Sequence, residues 1–449
     1  MSGRAGPVGG SAVPGATTWW DRRFPWLIAA LVVLAAGVRL AAIYVAQRTS
    51  PIGLGGDGFH YVISAWLLAA GQGFSFQTAK GIFPDALHPP LWIAFLAGVH
   101  WLGAQTVEQT GLAASALGVG TTVLVALLGR YIASARTGAV AGALIAVSPA
   151  FWTYERNLNA EAITFPLIAA ALLLTYRYHA RPTLGRCLAL ASTLGLLALA
   201  RSEQALLIPA VFVPLVLSTA AVPLRRRIWR LALSGAVILA IIAPWTIYNL
   251  HRFERPIILS AGAGNAMLAG ACDTTFSGEH LGSYDSACVL HNPVFWKNTD
   301  RSVQDGALRA EAIRYTLNHL EMLPAVLAAR EGRSWGFFRP AQQVLLQAES
   351  LAFAPRIIWL QMILYWTLVP LAVAGAALRR RHVILYPLLA LPALSIISTA
   401  MTFGDIRYRA PAEIPLVLLA AAAIDGLLLP TPRLESLQDS TARAARQEA

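Results

Sequence analysis

The segment GGDGFHY, residues 55–61, sets one carboxylate, Asp57, between glycines and aromatics directly after a long apolar run. Similar polar motifs sit at the ends of later apolar runs: PDALHPP with Asp85 and His88, ERNLNAE with Glu155 and Glu161, ARSEQ with Arg201 and Glu203, and GDIRYRAP with Asp405, Arg407 and Arg409. Acids interleaved with arginines are groups that can exchange protons and bind anions. A carboxylate can accept a hydroxyl proton. The planar arginine fork binds two phosphate oxygens, and fixed cations stabilise a leaving anion. Each motif also has a plain structural reading. Asp57 is an ordinary turn residue among Gly55, Gly56 and Gly58. Glu161 suits the first turn of a helix, His88 the boundary before Pro89 and Pro90, and Arg201 a bridge to Glu203. Interfacial arginines also reach towards lipid headgroups.

The elements that must position these residues are apolar. Of 449 residues 56% are hydrophobic and 13% charged, and the mean hydropathy is +0.56, outside the range of soluble domains. The predicted fold is an all-α polytopic membrane protein of about ten transmembrane helices. The net charge of +12 comes from arginine clusters between apolar runs, without the basic face of a nucleic-acid binder. Lys80 and Lys297 are the only lysines, a bias expected of a GC-rich bacterial genome.

Arg22 and Arg23 precede the first span, so the positive-inside rule puts both termini in the cytoplasm and Asp57 outside. The predicted organisation is a disordered cytoplasmic tail over residues 1–24 and a transmembrane module over 25–250 with its first outer loop at 46–106. An outer segment over 251–354, C-terminal helices over 355–429 and a cytoplasmic tail over 430–449 follow. The run PPLWIAFLAGVHWL, about 14 residues, is too short to cross and reads as a juxtamembrane helix. The stretch from Ser302 to Arg330 reads as one amphipathic helix of about 25 residues. With this topology Asp57, Asp85, His88, Glu155, Glu161, Arg201, Arg407 and Arg409 all fall on the outer side, which suggests one shared site.

The order of these motifs resembles the GT-C superfamily of polyprenyl-phosphate-sugar-dependent glycosyltransferases, in the branch of bacterial aminoarabinose transferases and protein O-mannosyltransferases. The resemblance runs from about Pro25 to Leu428. It implies an inverting hexosyl- or pentosyltransferase of a bacterial inner membrane. Its partners would be a polyprenyl-phosphate-linked sugar, membrane lipids and a glycan, lipid or protein acceptor of the cell envelope, with no nucleic acid. It implies Asp57 and Glu161 as catalytic acids. Tyr61, His88, Glu155, Arg201, Arg407 and Arg409 would bind substrate. Many relatives carry a second acid after the first, where this chain has Gly58. That departure leaves a divalent metal open, with Asp57 and Glu161 as its candidate ligands. No other cofactor is implied.

Of three cysteines, Cys272 and Cys288 share the outer segment. In an oxidising exterior a disulfide there would contribute roughly 3 kcal/mol. Two rival functions fit the span count: a transporter or lipid-linked-sugar flippase, and a non-catalytic envelope-assembly scaffold. Transporters, however, gather ionisable groups near the midplane and often show internal repeats. Here the acids lie at span ends.

Overall fold

The computed structural model describes residues 18–44, 53–78, 80–297 and 300–428. The expected tail at 430–449, most of that at 1–24 and the start of the first loop therefore lie outside the described residues. Helix α1, Trp19–Tyr44, begins inside the segment read as tail. It is followed by α2, Gly56–Ala69, a hairpin of β1, Ser75–Thr78, and β2, Gly81–Pro84, and then α3, Pro90–Trp101. The hairpin pairs Ser75 with Pro84 and Thr78 with Gly81, and Gly81 takes φ 129°, a conformation that glycine adopts without steric cost. Arg252 donates to the Phe74 carbonyl and lies over the Tyr248 ring, tying the hairpin to the bundle.

The bundle continues with α4, Val107–Ile132, α5, Ala135–Val147, α6, Pro149–Arg156, α7, Glu161–Ala180, and α8, Leu184–Ala200. A Thr106–Gln109 capping box starts α4, satisfying its first amides. Pro149 disfavours helical backbone at Ser148, so α5 and α6 meet at a 45° bend. The Ser148 hydroxyl then caps α6. After Arg201 comes a broken helix, α9, Ser202–Leu217, and then α10, Leu224–Leu250.

Short turns lead through the outer segment, where Cys272 and Cys288 are joined by a disulfide, to α11, Pro293–Lys297, α12, Arg301–Asn318, and α13, Leu323–Ser334. The single amphipathic helix expected from Ser302 onward is thus two. Its break falls at residues 319–322, and Pro324 stands in the first turn of the second helix, the position proline tolerates best. Then come α14, Pro340–Ser350, α15, Pro355–Arg379, α16, Tyr386–Met401, the tight turn Ile406–Ala412, and α17, Glu413–Leu428.

Among the described residues five helices are long and apolar enough to cross a membrane, or six if the bent α5–α6 pair is one span. Two of the roughly ten spans expected from the sequence, read at residues 187–200 and 383–401, form the helices Leu184–Ala200 and Tyr386–Met401, of 17 and 16 residues. At about 1.5 Å per residue they fall short of a hydrocarbon core of about 30 Å. The interior is nonetheless continuous, with Phe151, Phe165, Leu172, Ile414 and Leu418 in one cluster. Small residues bring the backbones together: a Cβ on Gly375 of α15 would lie 1.9 Å from the Leu419 carbonyl of α17. A second cluster, of Tyr61, Val62, Trp92 and Leu96, seats α2 against α3.

Ion pairs mark the end of the bundle where α4, α15 and α17 finish. Asp425 faces Arg136 at 3.7 Å and Arg379 at 3.6 Å, and Arg130 faces Asp21 at 3.6 Å. The acids and arginines described next occupy the other end.

Candidate active site

Asp57 stands in the first turn of α2, and that helix end is fixed by one buried amide. Asn157 accepts from the Gly55 N–H at 2.8 Å and donates to the Gly55 carbonyl at 3.0 Å. Its own carbonyl lies so near Gly58 that a Cβ there would be 2.0 Å away. Any side chain at position 58, a second carboxylate included, would therefore push α2 off this support. Leu158 holds φ 55°, costly for a residue with a Cβ, and its carbonyl accepts from Trp92 Nε1 at 2.7 Å. Sequence reasoning missed Asn157. Its only signal was an asparagine pair at the junction of two apolar helices.

Asp57, Glu161, Arg201 and Arg407 are in one network. Arg407 donates through Nη1 to Asp57 Oδ2 at 2.5 Å and through Nε and Nη2 to the two oxygens of Glu161. Arg201 donates to Glu161 Oε1 and to Glu203 at 2.5 Å. Asp405 accepts from the Arg407 N–H at 2.8 Å and so caps the turn that presents this guanidinium. The two acids differ in access: the Glu161 side chain is 1% exposed and that of Asp57 35%. Removal from water works to raise the Asp57 pKa, but the Arg407 charge and hydrogen bond prevail and hold it well below the usual carboxylate range.

His88 Nε2 stands 3.8 Å from Asp57 Oδ1. Burial lowers the His88 pKa to about 4 despite the attraction of Asp57, so near neutral pH it faces a ligand as an uncharged donor or acceptor. Tyr61 packs its ring 4.5 Å from that of His88. Burial raises its pKa, and the phenol stays protonated.

Two expected site residues lie elsewhere. Glu155 forms a forked pair with Arg39 of α1, at 2.6 and 2.8 Å, both side chains 1% exposed. Arg409 pairs with Glu413 at 3.0 Å beneath the Tyr365 ring and is buried. Neither reaches the Asp57 network, and each serves to hold helices together. Conversely, Asp85 joins a cluster that sequence reading did not assemble. It binds His60 Nε2 at 2.9 Å and Arg301 Nε at 2.8 Å, with the His60 ring stacked on Phe76.

Asp57 and Glu161 do not suit a resident divalent cation. Arg407 lies between them and donates to both, so a cation there would meet a guanidinium where it needs oxygen ligands. Among the described residues no group of three or more metal-ligating side chains occurs.

Residues 87–248 match the family described as dolichyl-phosphate-mannose-protein mannosyltransferase. The whole chain resembles the archaeal oligosaccharyltransferase AglB from Archaeoglobus fulgidus, solved with an inhibitory peptide and a dolichol-phosphate. Identity is 12%, coverage 96% of this chain and 52% of that one, and the TM-score 0.53. The apo oligosaccharyltransferase of the same organism gives 14% identity, 94% and 52% coverage and a TM-score of 0.50. ArnT from Cupriavidus metallidurans, bound to undecaprenyl phosphate, gives 15% identity over 89% of this chain and 78% of that one, with a TM-score of 0.45. No match to a curated protein sequence is found. The chain spans about half the length of the oligosaccharyltransferases it resembles.

Proposed function

We propose that this chain, whose fold is that of the GT-C membrane glycosyltransferases, is an inverting transferase that moves a sugar from a polyprenyl phosphate to a cell-envelope acceptor. The observation that carries this reading is the sharing of Arg407 between an accessible acid, Asp57, and a buried one, Glu161. Asp57, Glu161 and Glu203 face Arg201 and Arg407, so both guanidiniums of this network are already claimed by carboxylates. A lipid phosphate entering it must displace a carboxylate from an arginine. On Arg407 Asp57 is the one to yield, because Glu161 is buried and would give up an ion pair with no water to replace it.

Withdrawal of Arg407 towards the phosphate raises the basicity of Asp57 when the donor is in place. The acceptor hydroxyl then gives its proton to Asp57, and its oxygen bonds to the anomeric carbon from the face opposite the phosphate. The bond from that carbon to the phosphate oxygen breaks, and polyprenyl phosphate leaves with the electron pair beside Arg201 and Arg407. His88 and Tyr61 line the approach to Asp57 as uncharged hydrogen-bonding groups.

The proposed placement in the membrane is supported by the two ends of the bundle. Arg130, Arg136 and Arg379 cluster at the end opposite the site. Read by the positive-inside rule, that end, where α1 starts and α17 finishes, would face the cytoplasm of a bacterial inner membrane. The Cys272–Cys288 disulfide supports an oxidising compartment for the outer segment. The test is to incubate the purified protein with radiolabelled polyprenyl-phosphate sugars and envelope extracts. Release of polyprenyl phosphate with label passing to an acceptor is expected. Transport of the intact lipid without cleavage would refute the transferase reading.

A further inference from the structure

A cavity of about 140 Å³ lies beyond the Asp85 cluster, between the β1–β2 hairpin and the start of the α11–α12 region. Phe76, Phe83 and Trp296 supply aromatic walls, and Lys80, Asp85 and Arg301 the charged groups. It is smaller than the roughly 300–1,000 Å³ of sites that engulf a drug-sized ligand. It therefore suits one ring or substituent of a longer molecule whose remainder lies outside.

Its charges are unevenly committed. Both oxygens of Asp85 are occupied, Oδ1 by Arg301 and Oδ2 by His60. Arg301 spends Nε on Asp85 and Nη1 on Gln304, and its Nη2 makes no hydrogen bond among the described residues. Lys80 gives one hydrogen bond, to the Trp296 carbonyl at 3.0 Å, and an ammonium has three donors. The spare capacity is thus cationic, and Trp296 is 55% exposed. The cavity also adjoins the proposed reaction centre through a short series of contacts. Asp85 holds His60, whose ring meets that of His88 at 5.1 Å, and His88 faces Asp57 at 3.8 Å.

We propose that this cavity is an acceptor subsite for a glycan unit bearing a negative charge, such as a uronate or a phosphate-substituted sugar. The proposal rests on the transferase reading for the word acceptor. The sugar's apolar face lies on Trp296 and Phe83. Its anionic group takes the free donors of Lys80 and Arg301, and the reacting hydroxyl of a neighbouring unit reaches Asp57.

The test uses the full chain in lipid nanodiscs and calorimetric titration with two probes, trigalacturonate and the neutral maltotriose. Trigalacturonate should bind at least tenfold more tightly. Trp296→Ala should weaken both probes about tenfold, and Lys80→Ala trigalacturonate alone by a similar factor. Release of polyprenyl phosphate to water from a donor lipid, followed in parallel, should not change in either variant. Absence of saturable trigalacturonate binding, equal affinity for the two probes, or variants that bind like the wild type would each overturn the subsite. Binding as described in a protein that never cleaves the donor lipid would leave the anionic-glycan site standing and refute the transferase reading instead.

Discussion

Two sets of arginine–carboxylate contacts in this molecule use the same chemistry to opposite ends. Arg39 and Glu155 are matched one to one, forked and both 1% exposed, with Gly118 leaving room for the carboxylate: a Cβ there would lie 2.0 Å from Glu155 Oε1. Arg407 is divided between Asp57 and Glu161, and Arg201 between Glu161 and Glu203. In the first set neither partner can turn to a ligand without stranding a buried charge. In the second, Asp57 and Glu203 are 35% and 29% exposed, and an incoming anion can exchange with either. The number of claimants on each guanidinium, more than the presence of an ion pair, separates a structural bridge from a reactive one.

The largest effect should come from breaking the closed pair. Glu155→Ala strands Arg39 and should cost about 3–5 kcal/mol of stability, read as a fall in the thermal unfolding midpoint in detergent. The double variant Arg39→Met, Glu155→Leu should recover most of it. Turnover per folded molecule should change little, and a selective loss of turnover would place Glu155 in the reaction.

Next in size is Gly58→Ala, which leaves the closed pair intact and displaces the helix carrying Asp57 against the Asn157 carbonyl. A shift of about 1 Å at a reacting group can cost on the order of 100-fold in rate, so kcat should fall by that factor while the donor KM moves little. A wild-type kcat would show that Asp57 need not sit where this packing holds it. Arg407→Lys should raise the donor KM about tenfold by removing the fork that serves two oxygens. The same change at Arg409, whose one carboxylate partner among the described residues is Glu413, should leave KM as it was.

The smallest effect is a pH dependence. Because His88 titrates near 4 when folded and near 6.5 when unfolded, the unfolded chain takes up a proton first as pH falls. Its influence on stability is nil above about pH 6.5, and the midpoint should drop progressively between 6.5 and 4. His88→Gln should flatten that segment of the curve. Asp57, held below its usual range by Arg407, acts in a separate window: its stabilisation is complete above about pH 3.9 and is lost only at lower pH.

The motif order and hydropathy made the helical membrane fold and the meeting of Asp57, Glu161, Arg201 and Arg407 legible, because all four stand at ends of apolar runs that the expected topology puts on one side. The Arg39–Glu155 pair was not legible, since its partners are 116 residues apart and nothing local joins them. The Arg409–Glu413 pair has i, i+4 spacing, which the chain displays, yet the neighbouring Arg407 at the same motif drew both arginines into one reading. The Asp85, His60 and Arg301 cluster also escaped, because a hairpin and a distant helix converge on it. A carboxylate at position 58 is excluded by a backbone contact with Asn157 that no sequence pattern reveals.

The most direct measurement is the steady-state kinetics of Asp57→Asn with donor lipid and acceptor. If Asp57 is the base in an exchangeable network, kcat should fall about 10³-fold. Donor KM should not rise, because the carboxylate that competes for Arg407 is gone, and the unfolding midpoint above pH 6.5 should fall only by the loss of that one ion pair. A variant that transfers sugar at the wild-type kcat would contradict the assignment of Asp57 as the proton acceptor.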